Sequence, residues 1–192
     1  MAEVVGAAFL GLTKHVKEQK GVNFLNAVVE DAGDTTKAIF AKRIIMLDWY
    51  PYSSYAGFLR ALDRKLGKGD LSYCHELGMI AAQRDAQTIY SLYKEKAKPE
   101  QLIRDCSFIW QNYYRNAGRM EAVSWEPDNS VVRIYDFPDM DPAHCLLMVG
   151  WMRGMMYGVG AQVTPESREI MCMSHGAPYH EFKCNWTLQP AR

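Results

Sequence analysis

Met120-Glu121-Ala122-Val123-Ser124-Trp125-Glu126, a Pro127-Asp128-Asn129 turn, and Val131-Val132-Arg133-Ile134-Tyr135-Asp136-Phe137 form the stretch on which the fold turns. Two short runs of β-branched and aromatic residues around a turn triplet predict a hairpin, and they follow more than a hundred residues of helical pattern. Upstream, apolar residues recur at helical spacing over Gly6 to Lys17 and Val22 to Glu30, with Gly21 between them as a helix-ending residue. Asp34-Thr35-Thr36 offers N-cap chemistry for a short helix through Arg43, and Ile44 to Trp49 reads as strand or buried loop. Tyr50-Pro51-Tyr52 opens a helix whose Tyr55, Phe58, Leu59 and Leu62 share a stripe, ending at Gly67 and Gly69. Ser72 to Ala97 predicts the longest helix, and Pro99 opens another toward Asn116, closed by Gly118.

Downstream, Pro138 and Pro142 precede a helix from about Ala143 to Tyr157, and Gln162 to Met173 and Tyr179 to Leu188 read as two further strands about Gly176-Ala177-Pro178. The order predicts an α+β fold, with an N-terminal helical layer packed on a small antiparallel sheet and a C-terminal helix and β-hairpin. The expected organisation is a single domain over 1–192, mainly helical over 1–118 and sheet-forming over 119–192, because 75 residues of sheet and one helix would make a marginal core alone.

The chain has 192 residues and 48% hydrophobic content, enough to bury a core without metal or disulfides. Its 22 basic residues balance 22 acidic ones, so no long-range field gathers nucleic acid or anionic lipid, and nucleic acid is not expected as a partner. No run of 18 apolar residues occurs, because Lys14, Asp48, Arg60 and Arg153 interrupt the richest stretches, and no membrane span is expected. No basic region precedes the apolar stretch before Leu12, so no signal peptide is read and a cytoplasmic location is expected. Five cysteines, Cys74, Cys106, Cys145, Cys172 and Cys184, are an odd number, which argues against a disulfide framework and for core residues or metal ligands.

The chemistry concentrates near the C-terminus, where Glu169-Ile170-Met171-Cys172 precedes Ser174-His175-Gly176-Ala177-Pro178-Tyr179-His180 in a Glu-x2-Cys-x7-His pattern. Carboxylate, thiolate and imidazole are all zinc ligands, and a tetrahedral site needs a fourth. Cys145, near the start of the preceding helix, can return to the strand carrying Cys172, which gives a candidate metal set of Cys145, Glu169, Cys172 and His180. His180, Phe182, Cys184 and Trp186 share one strand face, so Cys184 is a spare candidate. Cys74 and Cys106 read as core residues, and His144 and His175 as solvated residues at a helix end and in a loop.

Taken together, Cys145-x4-Gly150-Trp151-x2-Gly154 and Glu169-x2-Cys172-x3-Gly176-x3-His180-x-Phe182-x3-Trp186 resemble the 4-vinyl reductase-type domain, over about Met120 to Trp186. The earlier segment looks like that of uncharacterised stand-alone bacterial relatives. The resemblance implies a fold akin to heme-nitric-oxide-binding domains and transport-particle subunits. It also implies a structural zinc on a Cys, Glu, Cys and Cys set, which carries over directly to Cys145, Glu169 and Cys172. His180 stands where the second hairpin cysteine is usual, a substitution that zinc chemistry tolerates. Heme is not expected on this reading, because the Tyr-x-Ser-x-Arg clamp of heme-nitric-oxide-binding domains is absent and no histidine is poised as a proximal ligand.

Eleven Met, eleven Tyr, seven Phe and five Trp make an adaptable interior, and Trp110, Trp125, Tyr135, Met152, Met156 and Tyr157 are the candidate pocket residues. No Gly-x-Ser-x-Gly elbow, no Gly-x4-Gly-Lys loop and no Gly-x-Gly-x2-Gly turn occurs, so nucleophile-elbow and nucleotide chemistry have no foothold. The expected function is a small-molecule-binding or sensory domain for apolar or aromatic ligands, dimeric by resemblance, signalling through self-association or an unnamed protein partner. Four protein ligands leave the zinc no open position for a reactive water, so the metal is read as structural and catalytic residues are not assigned. A scaffold subunit of the transport-particle kind and a vinyl-reductase-like tetrapyrrole enzyme are the alternative readings.

Overall fold

The computed structural model describes residues 1–87 and 98–188. Its elements run β1 (Glu3–Val5), α1 (Gly6–Lys20), α2 (Val22–Asp31), α3 (Asp34–Phe40), β2 (Trp49–Pro51), α4 (Tyr52–Leu66) and α5 (Ser72–Gln87). They continue with α6 (Pro99–Arg104), α7 (Cys106–Tyr113), β3 (Tyr114–Arg115), β4 (Arg119–Glu126), β5 (Asn129–Tyr135), α8 (Pro142–Gly158), β6 (Ala161–Val163), β7 (Arg168–Met171), a 3-10 turn at Met173–His175, and β8 (His180–Leu188). The α+β class predicted from the helix-to-strand change is the class observed. The remainder of the expected 72–97 helix lies outside the described residues.

Among the described residues two antiparallel sheets form. β4, β5, β8 and β6 lie side by side, with β7 also pairing with β8. A smaller sheet of order β2-β1-β3 escaped the sequence reading, because strands of two or three residues carry no readable alternation. The helix expected from Pro99 to Asn116 is two helices, broken at Asp105, whose φ of −87° and ψ of 2° interrupt the helical path. The expected strand over 162–173 is likewise two, β6 and β7, separated by the Thr164 to Ser167 turn. Asp34 lies in the first turn of α3 and does not cap it, since the cap position belongs to Gly33.

The main hairpin turns on Pro127-Asp128 and carries a register shift between Ala122 and Ser124. Strand parity sorts its side chains: Ser130, Val132 and Ile134 face inward from β5, opposite Cys184, Phe182 and His180 of β8. The helical layer closes over this face. α5 and α8 cross so tightly that a Cβ on Gly78 would lie 2.0 Å from the Leu147 carbonyl oxygen, and one on Gly150 would lie 1.9 Å from that of His75. Only glycine permits that backbone approach. At the start of α5, the fully buried Asp63 carboxylate accepts the Leu71 and Tyr73 N–H groups at 2.9 and 3.0 Å, satisfying amides that a helix N-terminus leaves unpaired. No described helix is long and apolar enough to cross a membrane.

Candidate functional site

α8 is the element on which two candidate sites meet. Its N-cap is Asp141, whose side chain accepts the Ala143 N–H at 2.8 Å, with Pro142 in the first turn, so the helix start is fixed. One turn in, Cys145 points toward β7 and β8. Its sulfur lies 3.8 Å from Cys172 Sγ and 3.6 Å from His180 Nδ1, and that nitrogen lies 2.8 Å from Glu169 Oε1. The ligand atoms of Cys145, Glu169, Cys172 and His180 all fall within 4.8 Å of one another. All four residues singled out in the sequence are thus brought together.

Local structure explains the convergence. Cys172 precedes a 3-10 turn in which its carbonyl accepts the His175 and Ala177 N–H groups at 3.0 and 3.1 Å, and Gly176 closes the turn at φ +88°. The chain then re-enters β8 at His180, whose Nε2 meets the Phe137 carbonyl at 3.3 Å and fixes the ring. Cys145 and His180 are buried, and Cys172 is 9% exposed. Burial, then the neighbouring Glu169 carboxylate and Cys172, push the Cys145 thiol far above its ordinary pKa. A cation is what such a set lacks, since two thiolates and a carboxylate packed together need positive charge to ionise. Cys184 shares the inward face of β8 but lies four residues along it, about 13 Å from His180, and stays outside the cluster.

His175 is exposed, as expected, but His144 is fully buried, which corrects its reading as a solvated helix-end residue. Its Nδ1 lies 3.0 Å from the Tyr52 hydroxyl and its Nε2 2.7 Å from the Tyr114 hydroxyl, and Trp110 stacks on it with 14° between the rings. Polar partners at both nitrogens let an imidazole sit in the core, and burial pushes its pKa down to about 3, so it is neutral.

On the cavity side of α8, Leu147, Met148 and Trp151 wall a partly open cavity. α1 closes it with Ala7, Ala8 and Gly11, and aromatic walls come from Tyr55, Trp110, Tyr113 and Tyr114. Among the described residues one charged group enters the lining, Asp85 of α5, which accepts the Trp151 Nε1–H at 2.8 Å. A second cavity shares Ile109, Met120 and Trp151 with the first and is lined by Cys106, Met152, Met155 and Met156. Of the six candidate pocket residues, Trp110 lines the first cavity, and Met152 and Met156 the second.

The other three lie elsewhere. Trp125 and Tyr157 are 44% and 55% exposed, at the outer end of the hairpin and on the outer side of α8. Tyr135 falls on the outward parity of β5, where Arg119 stacks over its ring at 4.5 Å. Assignment to an element did not say which face a residue takes. Asp85 and Tyr55 were missed because single polar or aromatic residues inside a helix carry no pattern of their own.

No family model and no curated protein sequence matches the chain. Solved structures do match. An H-NOX protein from S. oneidensis in the Fe(II)NO state superposes with a TM-score of 0.73 at 12% identity, over 95% of this chain and 99% of that one. An Fe(II) unliganded H-NOX protein from K. algicida gives 0.70 at 10% identity over 98% and 99%, and an oxygen-binding H-NOX domain related to soluble guanylate cyclases gives 0.66 at 12% over 97% of both. The fold is therefore the heme-nitric-oxide-binding type that the resemblance implied.

This overturns the expectation that heme is absent from the chemistry here, because the fold is shared with iron-bearing H-NOX proteins along nearly the whole chain. A missing three-residue clamp was too narrow a ground for setting heme aside. The walls define what heme would meet: among the described residues, no histidine lines either of these two cavities, and the side chains of the axial-donor types present are Tyr55, Tyr113, Tyr114, Cys106, Cys184 and several methionines.

Proposed function

We propose that the protein is a small-molecule-binding sensory domain in which the cavity beside α8 takes an apolar or aromatic ligand and a structural zinc pins α8 to the C-terminal hairpin. The observation that carries this reading is the sharing of one helix. Cys145 of the metal set and Leu147, Met148 and Trp151 of the cavity wall lie within seven residues of each other on α8. A ligand that shifts α8 acts on an element tied to the hairpin, and the hairpin edge is a surface from which a signal can pass to a partner or to a second copy.

The cavity's mainly aromatic and aliphatic walls, with a single carboxylate among the described lining residues, are those of a ligand pocket. The tetrahedral spacing of Cys145, Cys172 and His180 supports zinc, and it supports placing the chain in the 4-vinyl reductase-type branch of the fold. Free thiols at all five cysteines support a reducing, cytoplasmic compartment. Heme is an alternative occupant of the same cavity, held by Tyr113 or Tyr114, where its iron would supply a binding position for a gas.

Titration of purified protein with 1-naphthol, followed by quenching of tryptophan fluorescence, and with hemin, followed by its Soret band, tests the reading. Elemental analysis accompanies both. Saturable one-site quenching and about one zinc per chain are expected, whereas a Soret shift would make heme the occupant. No saturable binding of either compound would contradict the reading.

A further inference from the structure

We propose that the cavity selects an organic cation: an ammonium group on an aromatic or alkyl body, with the Asp85 carboxylate as its counter-charge. The inference rests on the ligand-binding reading of the same cavity and names its ligand class. Among the described residues Asp85 is the one charged side chain in the lining, and no lysine, arginine or histidine shares that lining with it. Its neighbour in sequence, Arg84, is engaged with Glu18 on α1.

The carboxylate is held in place. Trp151 Nε1–H donates to Oδ2 at 2.8 Å. A carboxylate has about four acceptor positions, so the others remain for a ligand. Burial raises the acid's pKa, the response of a negative group that lacks a full countercharge. Tyr55, Trp110 and Tyr114 share the lining with it, and aromatic rings attract a cation at short range. An ammonium entering here gains a charge-assisted hydrogen bond and aromatic contact together, and its apolar body fills the space walled by Leu147, Met148 and the small residues of α1. An anionic ligand would meet a like charge in a low-dielectric site and be rejected.

The test is calorimetric titration of the full chain with 2-phenylethylamine and its neutral isostere 2-phenylethanol, in the wild type and in Asp85→Asn. The amine is expected to bind about tenfold or more tightly than the alcohol. In Asp85→Asn that preference should disappear while the alcohol's affinity stays within about twofold, since the asparagine oxygen still accepts from Trp151. Equal binding of amine and alcohol by the wild type would overturn the cation preference and leave the cavity a ligand site. Binding of neither probe would overturn both.

Discussion

The sulfurs of Cys145 and Cys172 lie 3.8 Å apart, which is far beyond the roughly 2.05 Å of a disulfide and equal to the edge of about 3.8 Å in a tetrahedron with zinc–sulfur bonds of about 2.3 Å. The 3.6 Å from Cys145 to His180 Nδ1 fits the corresponding mixed edge. Glu169 and His180 sit closer, at 2.8 Å, a hydrogen-bond distance.

Metal content follows from that geometry. Wild-type protein should carry about one zinc per chain, Cys172→Ser should lose it, and Cys184→Ser, on the same strand face, should keep it. Removal of zinc by a chelator should lower stability by on the order of 4 kcal/mol relative to protein in thousandfold excess of zinc over its Kd. Elemental analysis paired with thermal melts measures both. Equal zinc in wild type and Cys172→Ser would sink the site.

The buried His144 gives a graded pair of variants. The Tyr52 hydroxyl meets His144 Nδ1 and also accepts the Asp141 N–H at 2.9 Å, whereas Tyr114 meets only Nε2. Tyr52→Phe therefore orphans two buried groups and should cost about 2–4 kcal/mol, against about 1–2 kcal/mol for Tyr114→Phe. Urea unfolding orders them, and a reversed order would refute this hydrogen-bond network.

The α5–α8 crossing predicts a contrast between glycines. Gly78→Ala drives a methyl group into the Leu147 carbonyl, backbone against backbone, and should cost about 3 kcal/mol or abolish folding. Gly11→Ala, mid-helix in α1 with nothing within 4 Å of its added carbon, should gain about 0.5–1 kcal/mol from helix propensity. Denaturant midpoints decide, and equal effects would contradict the packing described.

Asp85 predicts a pH signature. Its folded pKa is raised above the ordinary 3.8, so its contribution to stability is fully present below that value and is lost as pH rises through the folded pKa. Asp85→Asn removes the cost of a buried charge, so its Tm should exceed that of the wild type at pH 7 by on the order of 2–4 °C. The gap should close as pH falls toward 3.8. A gap constant with pH would show that the carboxylate is not under strain from burial.

Much of this was legible in the sequence because it rests on spacing. The helix-to-strand change at Met120, the inward parity of His180, Phe182, Cys184 and Trp186, and the four metal-type residues were each carried by local pattern. What depended on distant partners was not. The three-stranded sheet forms only because Glu3 to Val5 finds Trp49 to Pro51 and Tyr114 to Arg115 across the fold. His144 looked solvated because nothing nearby in sequence shows Tyr52, 92 residues away, arriving to bond it. Most of the cavity wall escaped for the same reason: beside the expected Trp110, Ala8, Asp85 and Trp151 come from three other helices, and none of the three is distinctive alone.

The cavity's role as a ligand site is tested most directly by plugging it. Calorimetric titration of 1-naphthol into the wild type and into Ala8→Phe, whose new ring would project from α1 into the cavity, compares an open site with a filled one. One-site binding by the wild type that is lost or weakened at least about tenfold in a folded Ala8→Phe protein is the predicted result. Binding that survives the plug unchanged, or no binding by the wild type, would contradict the account.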